Sequence, residues 1–283
     1  MRVLLLLPLL LLGLSCATRS GPLTGSPTAP VHTPQFTVKK DLIYTPAGWP
    51  QALPADLYQP TGPGPWPGVL LIHGGSWTQK DRRSDMTGIA ERLARRGYIV
   101  LNATYRLAPQ HPHPAQVQDL QQAAEWLRQN AAPLRLRADR LATFGYSAGG
   151  HLAALVGAYP GGKTARFQAI VAGGAPSDLR KFPDSAMVVN YLGGNLRERP
   201  AVFADASPVT HIRPGHPPVF IYHGRGDLLV PVDQASDYQA ALKKAGVPHE
   251  LLWQEGRGHV AAFILDGDAI RPAIAFLDRH LRP

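Results

Sequence analysis

The residues best suited to do chemistry lie in the run Gly145-Tyr146-Ser147-Ala148-Gly149. This is a G-x-S-x-G pattern, in which glycines permit a sharp turn that leaves the serine hydroxyl exposed. An apolar run precedes the pattern and a helix-like run follows it, as a strand–turn–helix arrangement requires. We therefore predict that Ser147 is a nucleophile, and that the N–H group of Ala148 lies beside it at the start of a helix.

A serine hydroxyl needs a base to take its proton and an acid to orient that base. For a nucleophile in this kind of turn, the expected chain order is serine, acid, histidine. His259 lies in a glycine-flanked loop directly after the last apolar run, so it is the predicted base. Asp227 ends the preceding apolar run and is the predicted acid.

Other residues could fill the same two roles. Asp178 follows a different predicted strand and is the alternative acid, whereas Asp233 fits a helix N-cap better. His211 and His216 lie in a Pro-rich segment and stay open as alternative bases, although the expected chain order disfavours them.

Acyl transfer places negative charge on the carbonyl oxygen, so the site also needs fixed N–H donors. Ala148 is one predicted donor, and the others are expected from the loop HGGSW at residues 73–77. Trp77 and Tyr146 are predicted to shape the substrate pocket. Core packing explains either aromatic side chain equally well, because large apolar side chains are usually buried.

Apolar runs that alternate with amphipathic runs predict the elements that position these residues. Strands are predicted at 68–74, 98–105, 140–146, 167–174, 218–224 and 249–255, and helices at 114–131, 148–158 and 233–245. This alternation predicts an α/β fold with a mostly parallel sheet and helices on both faces, whose site lies beyond the carboxyl ends of the strands. The Pro-rich segment 174–217 is predicted to be a small insertion or lid.

Composition excludes several classes of function. The chain has 283 residues, of which 45% are hydrophobic, which is enough for a sizeable core. Its net charge is +9, but no basic stripe interleaves with aromatics, so nucleic-acid binding is not predicted. The sequence has no His/Cys ligand cluster and no phosphate-binding glycine loop, so no metal, nucleotide or other cofactor is predicted.

The N-terminus is typical of an exported protein. Residues 1–16 have one Arg before an apolar run, as in a secretory signal peptide, and end at the only cysteine, Cys16. The residues before Cys16 resemble a bacterial lipobox, so we expect its lipidation, with an ordinary signal peptide as the alternative. Residues 17–35 are predicted to be a flexible linker and 36–283 the catalytic domain. We thus expect a membrane-anchored lipoprotein that meets the membrane only through its lipid.

With these motifs in place, the chain resembles the α/β-hydrolases. Within them it is similar to the hormone-sensitive-lipase-like carboxylesterases of the BD-FAE-type or acetylxylan-esterase-like group. The resemblance covers residues 36–283 and rests on the segments HGGSW, YRLAPQHPHPAQVQDLQQAAEWLRQNA, GYSAGGHLAAL, HGRGDLLVPVDQA and GRGH.

The resemblance implies a complete hydrolase site. Ser147 would be its nucleophile, Asp227 its acid and His259 its base. Its oxyanion donors would be the N–H groups of Gly75, Ser76 and Ala148. Ser76 stands where the family usually has a third glycine. Because the donor is its backbone N–H group, we expect serine to keep this function.

The predicted function is hydrolysis of short-chain acyl or acetyl esters, of a small molecule or a polysaccharide, through an acyl-enzyme. Two alternatives stay open. An amide hydrolase, arylformamidase- or peptidase-like, would use the same triad, and the HGGxW loop also occurs in kynurenine formamidases. A non-catalytic binding module on the same fold belongs to another class, and loss of a triad member would be its usual mark.

Overall fold

The computed structural model describes residues 17–20, 35–159 and 166–282. The predicted signal peptide, Cys16 and most of the predicted linker lie outside the described residues. The described strands are β1 (Ala17–Ser20), β2 (Phe36–Ile43), β3 (Pro54–Pro60), β4 (Trp66–Ile72), β5 (Ile99–Ala103), β6 (Leu136–Tyr146), β7 (Ala169–Gly173), β8 (Val219–Gly224) and β9 (His249–Gln254).

Within the described residues these strands form one sheet in the order β1-β9-β8-β7-β6-β4-β5-β3-β2. The five ladders that join β5, β4, β6, β7, β8 and β9 are parallel. Antiparallel strands complete both edges, with β3 and β2 at one edge and β1 at the other. The prediction of a mostly parallel sheet is confirmed, and full burial of β5 and β7 fits a sheet covered on both faces.

Helices cover both faces of the sheet. They are α1 (Thr87–Arg95), α2 (Ala115–Gln129), α3 (Ala131–Leu134), α4 (Ala148–Ala158), α5 (Ala186–Leu192), α6 (Pro200–Asp205), α7 (Asp233–Lys244), α8 (His259–Ile264) and α9 (Gly267–Leu281). Successive side chains of a strand point to opposite faces. On β4, Leu70 and Ile72 thus join the core under α2 and α4, and Val69 and Leu71 join the core under α1 and α9. No helix of the described residues is long and apolar enough to cross a membrane.

The segment 174–217 is more regular than its composition suggests. It contains α5, α6 and two short 3-10 helices, Leu179–Lys181 and Pro208–His211. Leu179, Tyr191 and Phe203 are fully buried in the core under α2 and α4. The insertion is therefore anchored to the body of the domain and forms a fixed wall beside the strand ends.

The predicted linker needs a correction at its start. Residues 17–20 form β1, which pairs antiparallel with β9 and places Ala17 opposite Gln254. The Thr18 hydroxyl also donates to the Glu255 carboxylate over 2.9 Å. An exposed strand edge offers unpaired backbone groups, and here β1 occupies the free edge of β9.

Candidate active site

The turn that carries Ser147 joins β6 to α4. Ser147 has φ 57° and ψ −127°, a left-handed backbone region that L-residues rarely occupy. A Cβ at Gly145 would lie 2.1 Å from the carbonyl oxygen of Gly149, and one at Gly149 would lie 2.2 Å from that of Ile72. Only glycine fits at either position, so the motif packs tightly and holds Ser147 in its strained conformation.

Ser147, His259 and Asp227 form one hydrogen-bonded series. His259 Nε2 lies 2.9 Å from Ser147 Oγ, and His259 Nδ1 lies 2.6 Å from Asp227 Oδ2. An ionised carboxylate only accepts hydrogen bonds, so Nδ1 carries the ring proton and Nε2 is free to accept from the serine hydroxyl. This is the protonation pattern that a general base next to a nucleophile requires.

The Asp227 carboxylate is held by its own loop. Its Oδ1 accepts the N–H groups of Leu229 at 3.0 Å and Val230 at 2.8 Å. Burial by itself would raise the pKa of Asp227, but hydrogen bonds from His259 and from the Val230 N–H outweigh burial and hold this pKa below its usual value. Asp227 therefore stays ionised at neutral pH and fixes the orientation of the imidazole.

The loop after β4 lies beside this series. Ser76 and Trp77 both have left-handed backbone, with φ 53° and 61°. Within the described part of the chain, the N–H groups of Gly75, Ser76 and Ala148 donate no backbone hydrogen bond. The loop is braced from below by His73, whose ring nitrogens lie 2.7 Å from the Gly74 carbonyl oxygen and 3.0 Å from the Thr104 hydroxyl.

One side of Ser147 opens into a small, mostly apolar cavity of about 70 Å³. Trp77 forms one wall, and Phe182, Met187 and Val188 of the insertion form another. The Trp77 ring stacks on Tyr191 with centroids 4.5 Å apart. Trp77, predicted to shape the pocket, and the 174–217 segment, predicted to be an insertion or lid, thus both border this cavity.

The other side of Ser147 opens into a groove of about 460 Å³. His259 and Tyr146 line it near the serine, and Phe263 and Arg82 line it further out. Tyr146 is almost fully buried and donates its hydroxyl to the His259 carbonyl oxygen over 2.6 Å. Tyr146 thus borders the groove, and it also fixes the backbone of the histidine.

The alternative site residues lie elsewhere. Asp178 accepts the N–H of Arg180 and pairs with its side chain, and both His211 and His216 contact backbone carbonyl oxygens. Asp233 is the first residue of α7 and pairs with Lys181 over 2.7 Å, so its prediction as an N-cap is wrong.

Three features were missed from the sequence. His259 begins α8 and does not lie within a loop. His151 is fully buried, where its Nδ1 accepts the Trp77 indole N–H at 3.2 Å and its Nε2 contacts the Ala206 carbonyl oxygen at 2.7 Å. The Leu229 and Val230 N–H donors to Asp227 were also missed. The glycine before His259 is a weak signal that a helix begins there. The apolar run after Asp227 is a weak signal for the turn that supplies the Leu229 and Val230 donors.

Among residues 17–20, 35–159 and 166–282, no three His, Cys, Asp or Glu side chains lie together in a way that could hold a metal ion.

The parallel sheet, the serine turn and the acid and histidine on later strand ends define an α/β-hydrolase. Comparison with known proteins supports the same class and narrows it. The model of the BD-FAE family matches residues 55–242. The chain belongs to the BD-FAE family.

Several of the relatives are named esterases. Esterase LipC of Mycobacterium tuberculosis is 31% identical over 63% of this chain and 49% of its own length. Esterase LipQ of the same organism is 29% identical over 81% of this chain and 58% of its own length. The chain thus spans about half the length of the curated relatives it matches. A truncated carbohydrate esterase from gut microbiota has the same fold, with a TM-score of 0.78 and 20% identity over 89% of this chain and 98% of that one.

Proposed function

We propose that this protein is a serine hydrolase that cleaves carboxylic esters through a Ser147–His259–Asp227 triad. The observation that carries the proposal is the hydrogen-bonded series from Ser147 Oγ to Asp227, beside three backbone N–H groups without a backbone acceptor in the described structure. The esterase names of the relatives support the same class of substrate.

In the proposed reaction, Ser147 Oγ attacks the acyl carbonyl carbon while its proton passes to His259 Nε2. The N–H groups of Gly75, Ser76 and Ala148 stabilise the negative charge on the carbonyl oxygen. His259 then gives its proton to the leaving alcohol, and an acyl-enzyme remains on Ser147. A water molecule, deprotonated by His259, then attacks the acyl carbonyl carbon. The bond from this carbon to Ser147 Oγ breaks, His259 returns the proton to Oγ, and the carboxylic acid is released.

The two openings beside Ser147 have different proposed roles. The leaving oxygen must lie within reach of His259 Nε2 to receive the proton. His259 lines the groove and does not line the small cavity, so the alcohol occupies the groove and the acyl group occupies the cavity. The small cavity favours acetyl and other short acyl groups, and the open groove accepts a larger alcohol.

The test is hydrolysis of p-nitrophenyl acetate, butyrate and octanoate by the full chain and by its Ser147→Ala variant. We expect kcat to fall by at least about 10⁴-fold in the variant, because the nucleophile is lost. We also expect acetate and butyrate to be cleaved faster than octanoate. Equal activity of the two folded proteins would overturn the assignment of Ser147.

A parallel assay with p-nitroacetanilide separates ester from amide hydrolysis at the same site. Faster turnover of the amide than of the acetate ester would replace the ester proposal by an amide hydrolase that uses the same triad. Absence of turnover on all these substrates by the folded chain would favour the binding-module alternative.

A further inference from the structure

The surface around the groove is unusually apolar. The described residues include eight exposed large hydrophobic side chains, and six of them lie at the mouth of the site. We call this set the apolar rim, which consists of Met187, Leu228, Leu229, Val260, Ile264 and Leu265. Four of its members line the cavity or the groove, and Leu228 and Leu265 extend it outward as their chain neighbours.

The members of the apolar rim are exposed to a degree that packing does not explain. Leu228 is 94% exposed, Ile264 68%, Val260 65% and Leu265 58%. Together they present apolar area on the order of the largest patch that a typical monomer shows, several hundred Å². A patch of this size on a single face marks a surface that binds something apolar.

The position of the N-terminal strand β1 indicates which partner the apolar rim contacts. Because β1 runs antiparallel to β9 and Ala17 lies opposite Gln254, the chain before Ala17 leaves from the carboxyl end of β9. That end of the sheet is the one that carries His259. In the sequence, Cys16, the expected site of a lipid, lies directly before Ala17. An anchor attached there would hold the apolar rim next to a membrane.

Three ion pairs lie near the apolar rim. Arg82 pairs with Asp85, Arg225 with Glu255 and Arg257 with Asp268. Exposed ion pairs leave little net charge for attracting anionic headgroups. Contact with a bilayer would therefore depend mainly on apolar area that enters the hydrocarbon boundary.

We propose that the apolar rim inserts into the surface of a phospholipid bilayer, so that the groove beside Ser147 opens towards the membrane. Insertion is driven by burial of apolar side chains and does not require anionic lipid. The membrane contact predicted from the sequence, a lipid on Cys16, would then be joined by a second contact made by the folded domain. This docking does not rest on the proposed ester hydrolysis.

The single cysteine of the chain makes a direct test straightforward. In the full chain with Cys16→Ala, a nitrobenzoxadiazole probe is attached to Leu228→Cys, to Leu265→Cys or to Val38→Cys. Val38 is an exposed apolar residue on β2, at the opposite edge of the sheet, and serves as the matched control. Vesicles of neutral phosphatidylcholine should shift the emission to shorter wavelength at positions 228 and 265 but not at position 38.

A second measurement uses serine substitutions. Bilayer partitioning of Leu228→Ser/Leu265→Ser should fall by about tenfold or more, because two apolar side chains no longer insert. The control Val38→Ser/Ile43→Ser removes two apolar side chains of β2 and should partition like the parent. Thermal unfolding should be alike in all three proteins, since the replaced side chains are exposed.

Three results would overturn the proposal. The first is an unchanged probe at positions 228 and 265 in protein that sediments with the vesicles. The second is a probe shift without vesicles that grows with protein concentration, which would assign the apolar rim to a second copy of the chain. The third is binding that needs anionic lipid and disappears in high salt. The probe shift should persist in Ser147→Ala protein, so failure of docking and failure of catalysis are distinguishable.

Discussion

The cavity and the groove meet at Ser147 but are built in different ways. The cavity wall comes from parts of the chain far apart in sequence, Trp77 after β4 and the insertion with Phe182 and Val188. Trp77 is held on both sides, by stacking on Tyr191 and by its hydrogen bond to His151. The Trp77 wall of the cavity is therefore fixed in position.

The groove is built from two main segments, the loop after β4 with Gly75 and Arg82, and the helix α8 that follows β9. His259 and Phe263 lie on α8, and their outer neighbours are exposed to solvent. A small apolar space selects ligands by size, whereas a much larger groove tolerates many shapes. The difference predicts strict selection of the acyl group and loose selection of the alcohol.

The largest expected effect comes from substitution of Asp227, because the cavity and the groove share the same proposed triad. In Asp227→Asn the imidazole loses the carboxylate that fixes its tautomer, so kcat should fall by about 10⁴-fold for every ester, whatever its acyl or alcohol part. Asp178→Asn is the matched control, because Asp178 pairs with Arg180 away from His259. An equal loss in both variants, measured with p-nitrophenyl acetate, would contradict the assignment of the acid.

Acidic pH should lower the free energy of unfolding through His151, which holds the cavity residue Trp77 by a hydrogen bond. Burial lowers the pKa of His151 to about 3 from its ordinary 6.5. Below pH 6.5 the unfolded chain binds a proton at this position that the folded protein excludes, so the free energy of unfolding falls as the pH drops towards 3. Between pH 6.5 and 4.5 we expect a loss on the order of 2 kcal/mol from this group.

Urea unfolding at these two pH values measures that loss. The His151→Gln variant carries no titrating group at this position, so its free energy of unfolding should depend less on pH than that of the parent. A parent stability that stays level or rises on acidification would contradict this expectation.

Two substitutions with smaller expected effects, one in each region, distinguish the role of the cavity from that of the groove. Phe182→Ala enlarges the cavity, so the rate for hexanoate relative to acetate esters should rise by about tenfold. Phe263→Ala widens the groove and should alter the preference for the alcohol while the acyl preference stays the same. The measurement is kcat/KM for a series of acyl lengths and a series of alcohols. A change of acyl preference in Phe263→Ala alone would reverse the assignment of the two regions.

The smallest expected effect concerns the outer groove. Arg82 lies partly exposed at the groove wall and pairs with Asp85. Arg82→Ala should change KM by about two- to threefold for esters of large alcohols, as expected for an exposed polar contact. Hydrolysis of p-nitrophenyl acetate, whose leaving group is small, should be almost unaffected.

The parallel sheet and the serine turn could be predicted because their signals are local. The apolar runs of β4 and β6 and the glycines around Ser147 dictate buried strands and a tight turn on their own. Asp227 and His259 were predicted to lie near Ser147 because parallel strands bring their carboxyl ends to one edge. The distances that join them to Ser147 agree with that expectation.

Trp77 was expected at the pocket, but the side chains that the insertion adds to the cavity wall and the edge strand β1 could not be predicted, because both depend on contacts between distant segments. Phe182 and Val188 lie in a Pro-rich stretch whose short helices are stabilised by burial of Tyr191 and Phe203 more than by local preference. Residues 17–20 have the composition of a linker, and pairing with β9 overrides that composition.

The most direct test of the central claim is covalent labelling of Ser147. The full chain is treated with diethyl p-nitrophenyl phosphate, digested, and analysed by mass spectrometry. We expect one diethyl phosphoryl adduct, on Ser147, formed in parallel with loss of esterase activity and absent from Asp227→Asn protein on the same timescale. Activity that survives treatment, or an adduct on a different residue that accounts for the loss, would contradict this claim.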